Sequence, residues 1–178
     1  SPPDRDLEWT ESGIGGAFNF INKVWELTVK TTNIIENPKD KKNNKNLENE
    51  TNKAIESVTQ NIESFHYNKA VANIYTLVNI IQNSQKDLKN SKEDLLWSLK
   101  KLALIIHPFT PHLSEEMWKT LGGKGLVVEQ DWPKPSRSQQ ITKTNLAVQI
   151  NGKTKIIIET DYNIEENIAK KIVLSNEK

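Results

Sequence analysis

The chain has 178 residues, enough for one sizeable core or for a main domain with a smaller one attached. It is 35% hydrophobic and 26% charged with a net charge of +1, so it lacks the basic excess that usually marks a dedicated nucleic-acid binder. No run approaches the roughly 18 apolar residues of a membrane span, no signal-peptide pattern is present, and the lack of cysteine excludes disulfides and thiolate metal sites. A cytoplasmic location without membrane contact is the expectation.

The opening "SPPDRDLEW" is expected to be extended, because Pro2 and Pro3 fix their own φ and push their predecessors out of the α region. A helix is predicted in "GAFNFINKVWELTVKTTNII". There Phe18, Ile21 and Trp25 recur at helical spacing, and Phe20, Val24 and Leu27 widen the stripe. Gly13, Gly15 and Gly16 just before it suit a tight turn or the close approach of another chain. Residues from about 37 to 48, "NPKDKKNNKNLE", are rich in Asn and Lys and read as a solvated, mobile loop.

Three helical patterns follow. The first places Ile55, Val58, Ile62 and Phe65 on one stripe, and the second does the same with Ala70, Ile74, Leu77, Val78 and Ile81, starting near Asn68. The third carries Leu95, Leu99, Leu102, Ala103 and Ile106, with Ser91 as N-cap and Asp94 three residues on. A shorter helix is predicted over "PHLSEEMWKTLGG", capped by Thr110, opened by Pro111 and ended by Gly122 and Gly123. "LVVEQDWP" reads as a short extended piece, and residues 136–144 as a linker.

After Thr144 the periodicity changes from helical to alternating. "NLAVQI" and "TKIIIET" are strand-like and joined by "NGK", whose Asn-Gly supplies the positive φ values of a hairpin turn. "DYNIEENIAKKIVL" reads as a helix with Asn163 as N-cap, Glu166 at its third position, and Ile164, Ile168 and Ile172 on one face. The expected fold is therefore mainly α: a bundle of four to five helices over residues 1–135, then a small, truncated α+β domain over 145–178.

The stretch "HPFTPHLSEEMW" holds the densest chemistry, with His107, His112, Glu115 and Glu116 in one short run. Metal-binding helices set ligands at i and i+4, and His107 and His112 are five apart with Pro108 and Pro111 between them. No nucleophile or Gly-rich phosphate cradle lies nearby to complete a catalytic set. We therefore read it as a corner between two helices, where Pro108 stops one at His107, Phe109 buries, and Leu113, Met117 and Leu121 face inward. No catalytic or metal-binding residue is assigned. Base stacking needs an exposed ring beside basic groups, a pattern hinted at only by Trp25 near Lys23 and Lys30. Trp97 and Trp118 read as packing residues, and Trp9 and Trp132 as covers at domain junctions.

Taken in order, "SPPDRDLEW", "GIGGAFNFINKVW", "ALIIHPFTPHLSEEMWKTLG", "DWP" and "LAVQINGKTKIIIE" resemble the C-terminal part of a bacterial-type leucyl-tRNA synthetase, over nearly the whole chain. The helix–HPFTPH–helix run is shared with the class I enzymes for isoleucine, valine and methionine. The SPP…EW opening and the VQINGK hairpin point to leucine. The resemblance implies a helical tRNA-binding domain, often called anticodon-binding, that grips the tRNA body and delivers the acceptor end to active sites elsewhere. It also implies that the catalytic domain, with its HIGH and KMSKS signatures, and the editing domain precede the SPP opening. Neither signature occurs in this sequence, so the chain reads as a non-catalytic fragment with no cofactor of its own, from a parent that uses ATP and Mg.

The implied partners are tRNA(Leu) and the parent's N-terminal catalytic domain. In the first helix the family carries arginines where this chain has Asn19 and Lys23, so the forked donor geometry is lost at both and the charge at one. The candidate tRNA contacts are Asn19, Lys23, Lys30 and Lys69 on the bundle and Lys153 and Lys155 on the hairpin, where Ile157 is apolar. The closing strands of the family's last domain are missing after Lys178. Two alternatives stay open. One is the same fragment of a valyl- or isoleucyl-tRNA synthetase, which would end in a coiled coil or zinc-binding tail. The other is a stand-alone helical interaction module with no RNA role.

Overall fold

A computed structural model of the chain describes residues 11–34, 45–86, 91–136, 144–150, 153–160, 164 and 166–175. The expected extended opening, Trp9, the Asn-Gly turn and the Asn163 cap lie outside these residues. Packing divides the chain into two units, Ser1–Pro135 and Ser136–Lys178. The first contains α1 (Glu11–Thr32), α2 (Lys45–Glu63), α3 (Tyr67–Lys86), α4 (Lys92–Ile106), α5 (Pro111–Thr120) and a 3-10 turn at Val127–Glu129. The second contains β1 (Thr144–Ile150), β2 (Lys153–Thr160) and α6 (Glu166–Ser175).

Helix α4 is the axis of the bundle and touches α1, α2, α3 and α5. The expected stripe of Leu95, Leu99, Leu102, Ala103 and Ile106 is buried, and so are Ser98 and Ile105 beside it. Four neighbours need a wider apolar surface than one face supplies. Ser91 caps α4 through its side chain, which accepts from the Asp94 amide at 3.1 Å. The helix stops before Pro108, and the amides of Phe109 and Thr110 both return to the Ile106 carbonyl. Two small polar groups sit in the core with their needs met. Thr51 Oγ1 on α2 pairs with Ser98 Oγ at 3.0 Å, and Ser114 Oγ on α5 donates to the Ala103 carbonyl at 2.6 Å.

Helix α1 departs from the sequence reading in two ways. It begins at Glu11 and runs through Gly13, Gly15 and Gly16. Among the described residues a Cβ on Gly15 or Gly16 would meet nothing within 4 Å, so no contact within the first unit calls for them. Its buried stripe is Phe20, Val24, Leu27, Thr28 and Thr31, whereas Ile14, Phe18 and Ile21 are exposed, Phe18 to 65%. Both stripes have helical period; the inner one is chosen by α3, α4 and α5, against which α1 packs. The buried threonines donate back to the carbonyls of Val24 and Leu27, both at 2.9 Å, so no polar atom is stranded. Phe20 stacks on Tyr75, Lys23 reaches Asn79, and Thr31 pairs with Gln85, an order that shows α1 running parallel to α3.

Helix α2 begins at Lys45, inside the segment expected to be loop, and buries Leu47, Thr51 and Asn52 before Ile55 and Val58. It does not carry the stripe to Phe65. The His66 amide bonds to Asn61 O (2.7 Å) and the Phe65 amide to Ile62 O (3.0 Å), which is a Schellman ending with Phe65 in the left-handed position at φ 57°. Helix α5 ends the same way, with Gly123 bonded to Trp118 O, Gly122 to Lys119 O, and Gly122 at φ 72°. Gly123 is required by contact, since a Cβ there would lie 2.3 Å from the Trp118 indole. The expected Thr110 side-chain cap of α5 is not made, although Pro111 does open the helix. "LVVEQ" is the 3-10 turn and not an extended piece.

In the second unit β1 and β2 pair antiparallel, from Thr144 opposite Thr160 to Ile150 opposite Lys153. The register slips between Val148 and Gln149, which leaves Lys155 outside one-to-one pairing, as in a β-bulge. Ile158 and Thr160 are buried at period two, while Ile157, which precedes Ile158, and Ile168 on α6 are exposed. The expected face of Ile164, Ile168 and Ile172 is thus only partly covered, because two strands and a ten-residue helix offer little to cover it with.

The two kinds of position should respond oppositely in urea denaturation. Leu102→Ala, at the centre of α4, should cost about 2–5 kcal/mol. Phe65→Gly should stabilise by up to about 1 kcal/mol, because glycine takes left-handed φ without strain and an exposed ring loses little packing.

Candidate nucleic-acid interface

The corner weighed in the sequence as a possible active site does not assemble one. His107 caps the end of α4 with its Nδ1 buried and unpartnered, so no third group orients it as a base. His112 is exposed in the first turn of α5. Glu115 instead faces the 3-10 turn, accepting from the Val127 amide at 2.9 Å and the Val128 amide at 3.3 Å. It ties α5 to the segment that leads out of the bundle, a role that residue spacing does not reveal. Among the described residues no three His, Asp or Glu side chains gather as a metal group.

The candidate basic contacts differ in how free they are. Asn19 is exposed on α1, and Lys23 and Lys30 lie at four and eleven residues beyond it, on the same helical face. Lys23 Nζ donates to Asn79 Oδ1 at 2.7 Å, which ties α1 to α3. Lys30 is ion-paired with Glu26 one turn back. A surface pair of this kind is worth a few tenths of a kcal/mol, so it offsets the charge of Lys30 without holding it firmly. Lys69, in the first turn of α3, is exposed with no acceptor for its ammonium among the described residues. For Lys153 and Lys155 the structure gives only the backbone, both within β2.

Other lysines serve the fold. Lys92 Nζ donates to the carbonyls of Thr32 (2.9 Å) and Ile34 (2.8 Å), a cation at the C-terminal end of α1 where the helix dipole favours it. Gln85 closes the same end by donating to Leu27 O and Thr31 Oγ1. Lys101 sits over the Trp97 ring at 5.9 Å.

Of the tryptophans, Trp25 is half-buried, Trp118 donates to Lys124 O at 3.2 Å, and Trp132 donates to Thr59 Oγ1 at 2.8 Å, which pins the end of the first unit to α2. The most exposed aromatic group beside a free cation lies elsewhere, at the α2–α3 corner, where Phe65 and Tyr67 precede Lys69. Sequence reading missed it because Phe65 fell in phase with the apolar stripe of α2.

Residues 44–174 match the model of the anticodon-binding domain of tRNA ligase, so the match begins at α2 and continues into α6. The chain is similar to leucine–tRNA ligase of Fusobacterium nucleatum, 32% identical over 98% of this chain and 22% of that protein. It is likewise similar to leucine–tRNA ligase of Petrotoga mobilis, 34% identical over 100% of this chain and 23% of that one. Among solved structures it resembles a LeuRS in a ternary complex, Agrobacterium radiobacter K84 agnB2 LeuRS with tRNA and LeuAMS. That likeness has a TM-score of 0.71 and 30% identity over 95% of this chain and 22% of the other. The chain thus spans about a fifth of the length of the relatives it matches.

If the corner is structural, Glu115→Ala should destabilise the first unit by about 1–2 kcal/mol through two unpaired backbone amides. His112→Ala, on an exposed side chain, should stay within about 0.5 kcal/mol. Thermal unfolding of the two variants beside the parent chain checks both, and the reverse order would show the wrong residue has been taken as the tie.

Proposed function

Since the chain belongs to the family of anticodon-binding domains of tRNA ligases, we propose that it grips tRNA(Leu) as part of a leucine–tRNA ligase. The single observation that carries this reading is likeness along nearly the whole chain, at 30% identity, to a LeuRS solved with tRNA. In this role the bundle is a rigid handle for the tRNA body, and chemistry is left to a catalytic body in the rest of the ligase. That body attaches leucine with ATP and Mg, in the cytoplasm.

Among the described residues the glycines of "GGKG" are engaged by the α5 cap, by Trp118 and by Glu129. No helix among these residues is long and apolar enough to cross a membrane.

Two surfaces support the division of labour. The outer stripe of α1, with Ile14, Phe18 and Ile21 exposed, is the kind of apolar patch that another part of a larger protein covers, and we assign that cover to the catalytic body. The RNA contact follows the cations, and binding of this kind relies on phosphate contacts and shape more than on base edges. Lys69, with no acceptor for its ammonium among the described residues, can meet a phosphate with its full charge, whereas Lys23 must share its donors with Asn79, and Lys30 is offset by Glu26. Asn19 can donate a neutral hydrogen bond beside Lys23, and Lys153 and Lys155 would extend the grip from the hairpin.

Filter-binding titration with a leucine tRNA transcript over a range of salt tests the reading. Affinity should fall steeply as salt rises, and Lys69→Ala should lower the slope of log K against log salt by about one. Lys30→Ala should change it less. Absence of any binding at low salt would leave only the stand-alone module, and pyrophosphate exchange with ATP by the pure chain would contradict its non-catalytic role.

A further inference from the structure

The α2–α3 corner, "SFHYNK", combines features that the fold itself does not need. Phe65 holds a left-handed backbone conformation that strains a side chain with a Cβ, at a position equivalent to Gly122 in the ending of α5. Burial does not offset that strain, because the ring is 64% exposed. Strain retained at an exposed position points to use of the side chain outside the fold.

The local geometry indicates the use. The rings of Phe65 and Tyr67 meet edge to face, with centroids 6.0 Å apart and planes at 79°. In that arrangement the edge of one ring meets one face of the other, and each ring keeps a face that the other does not cover. Tyr67 is itself 38% exposed, and His66, Asn68 and Lys69 around it are exposed as well. The first turn of α3 carries no acidic side chain to repel a phosphate, and Glu63 lies at the end of α2. Exposed rings with a lysine a few residues further along the same corner supply the two groups by which proteins hold unpaired nucleotides: the base stacks and a cation meets a phosphate.

We propose that Phe65 and Tyr67 form a stacking site for an unpaired RNA base, with Lys69 on the adjoining phosphate. This rests on the tRNA-gripping role and adds to it the place where a single-stranded nucleotide is held. An apolar protein partner is disfavoured by the setting, since the two rings stand among His66, Asn68 and Lys69 and not within an apolar stripe.

The test uses the 178-residue chain, its Phe65→Gly and Phe65→Leu variants, and three probes at low salt. These are a leucine tRNA transcript, a single-stranded heptaadenylate carrying one 2-aminopurine, and an RNA duplex of the same length. The parent chain should quench 2-aminopurine, and both variants should bind the heptaadenylate roughly ten-fold more weakly, with the duplex unaffected. The Tm of Phe65→Gly should be unchanged or higher. Equal affinity of variant and parent for the heptaadenylate overturns the stacking site while salt-dependent tRNA binding leaves the gripping role standing. Loss of Tm together with affinity would make Phe65 a packing residue and overturns it too. If the parent chain binds no tRNA, both readings fall together.

Discussion

Everything in the first unit is arranged around the burial of α4. Leu95, Leu99, Leu102, Ile105 and Ile106 are each no more than 2% exposed, and each such side chain contributes roughly 1.5–3 kcal/mol when withdrawn from water. Unpaired polar atoms are costly in a helix buried from several sides, and Ser98 is accommodated there by pairing with Thr51 on α2. The same demand operates where α5 crosses: Ser114 is small enough to let the helices approach and donates directly to the Ala103 carbonyl. Pro108 then fixes where α4 stops, and through Phe109 and the α5 start it sets where the chain turns back. The histidines of that corner are passengers of this geometry.

With the axis fixed, the surface depends on how the helices around it end. The end of α1 is held by groups from two other helices, Gln85 of α3 and Lys92 of α4, so its direction is set at the C-terminal side. The endings of α2 and α5 use the same backbone circuit with different residues at the left-handed position, Phe65 in one and Gly122 in the other. Where the chain must pass beneath Trp118, glycine is the only residue that fits, and Gly123 is there. At the other ending nothing constrains the side chain from inside the fold, and an aromatic ring projects instead.

Much of this was legible in the sequence wherever periodicity and a stop signal agreed. The stripe of α3, the Ser91 cap and the proline corner all follow from residue spacing and backbone chemistry, and the structure keeps them. The misreadings come from places where one signal was present without the other. α1 carries two apolar stripes of equal period, and only its neighbours decide which is inside. The start of α2 is hidden in an Asn- and Lys-rich run, so Leu47 was counted as loop although it is fully buried. Phe65 lay in phase with the stripe it does not belong to, because a Schellman ending without glycine leaves no mark in the sequence. Glu115 stood among the four chemical candidates of the corner, and its two amide partners lie twelve and thirteen residues away, beyond the reach of any spacing rule.

The candidate contacts were the least legible part, for a physical reason. A lysine in a sequence counts as one charge, whereas in the fold its charge is divided between protein and solvent. Lys92 is bound to two carbonyls at a helix terminus, and a phosphate would have to displace both charge-assisted bonds to recruit it. Lys23 holds two helices together, and Lys30 faces its own carboxylate. With a net charge of only +1, a chain that commits cations in this way has little long-range attraction for RNA. In the proposed role its grip would come from a few lysines without partners among the described residues, acting at contact distance and aided by shape and by exposed rings whose stacking does not depend on net charge. The proposed stacking site at the α2–α3 corner, where Lys69 follows two exposed rings in the chain, therefore ranks ahead of the more heavily charged stretches as a candidate RNA contact.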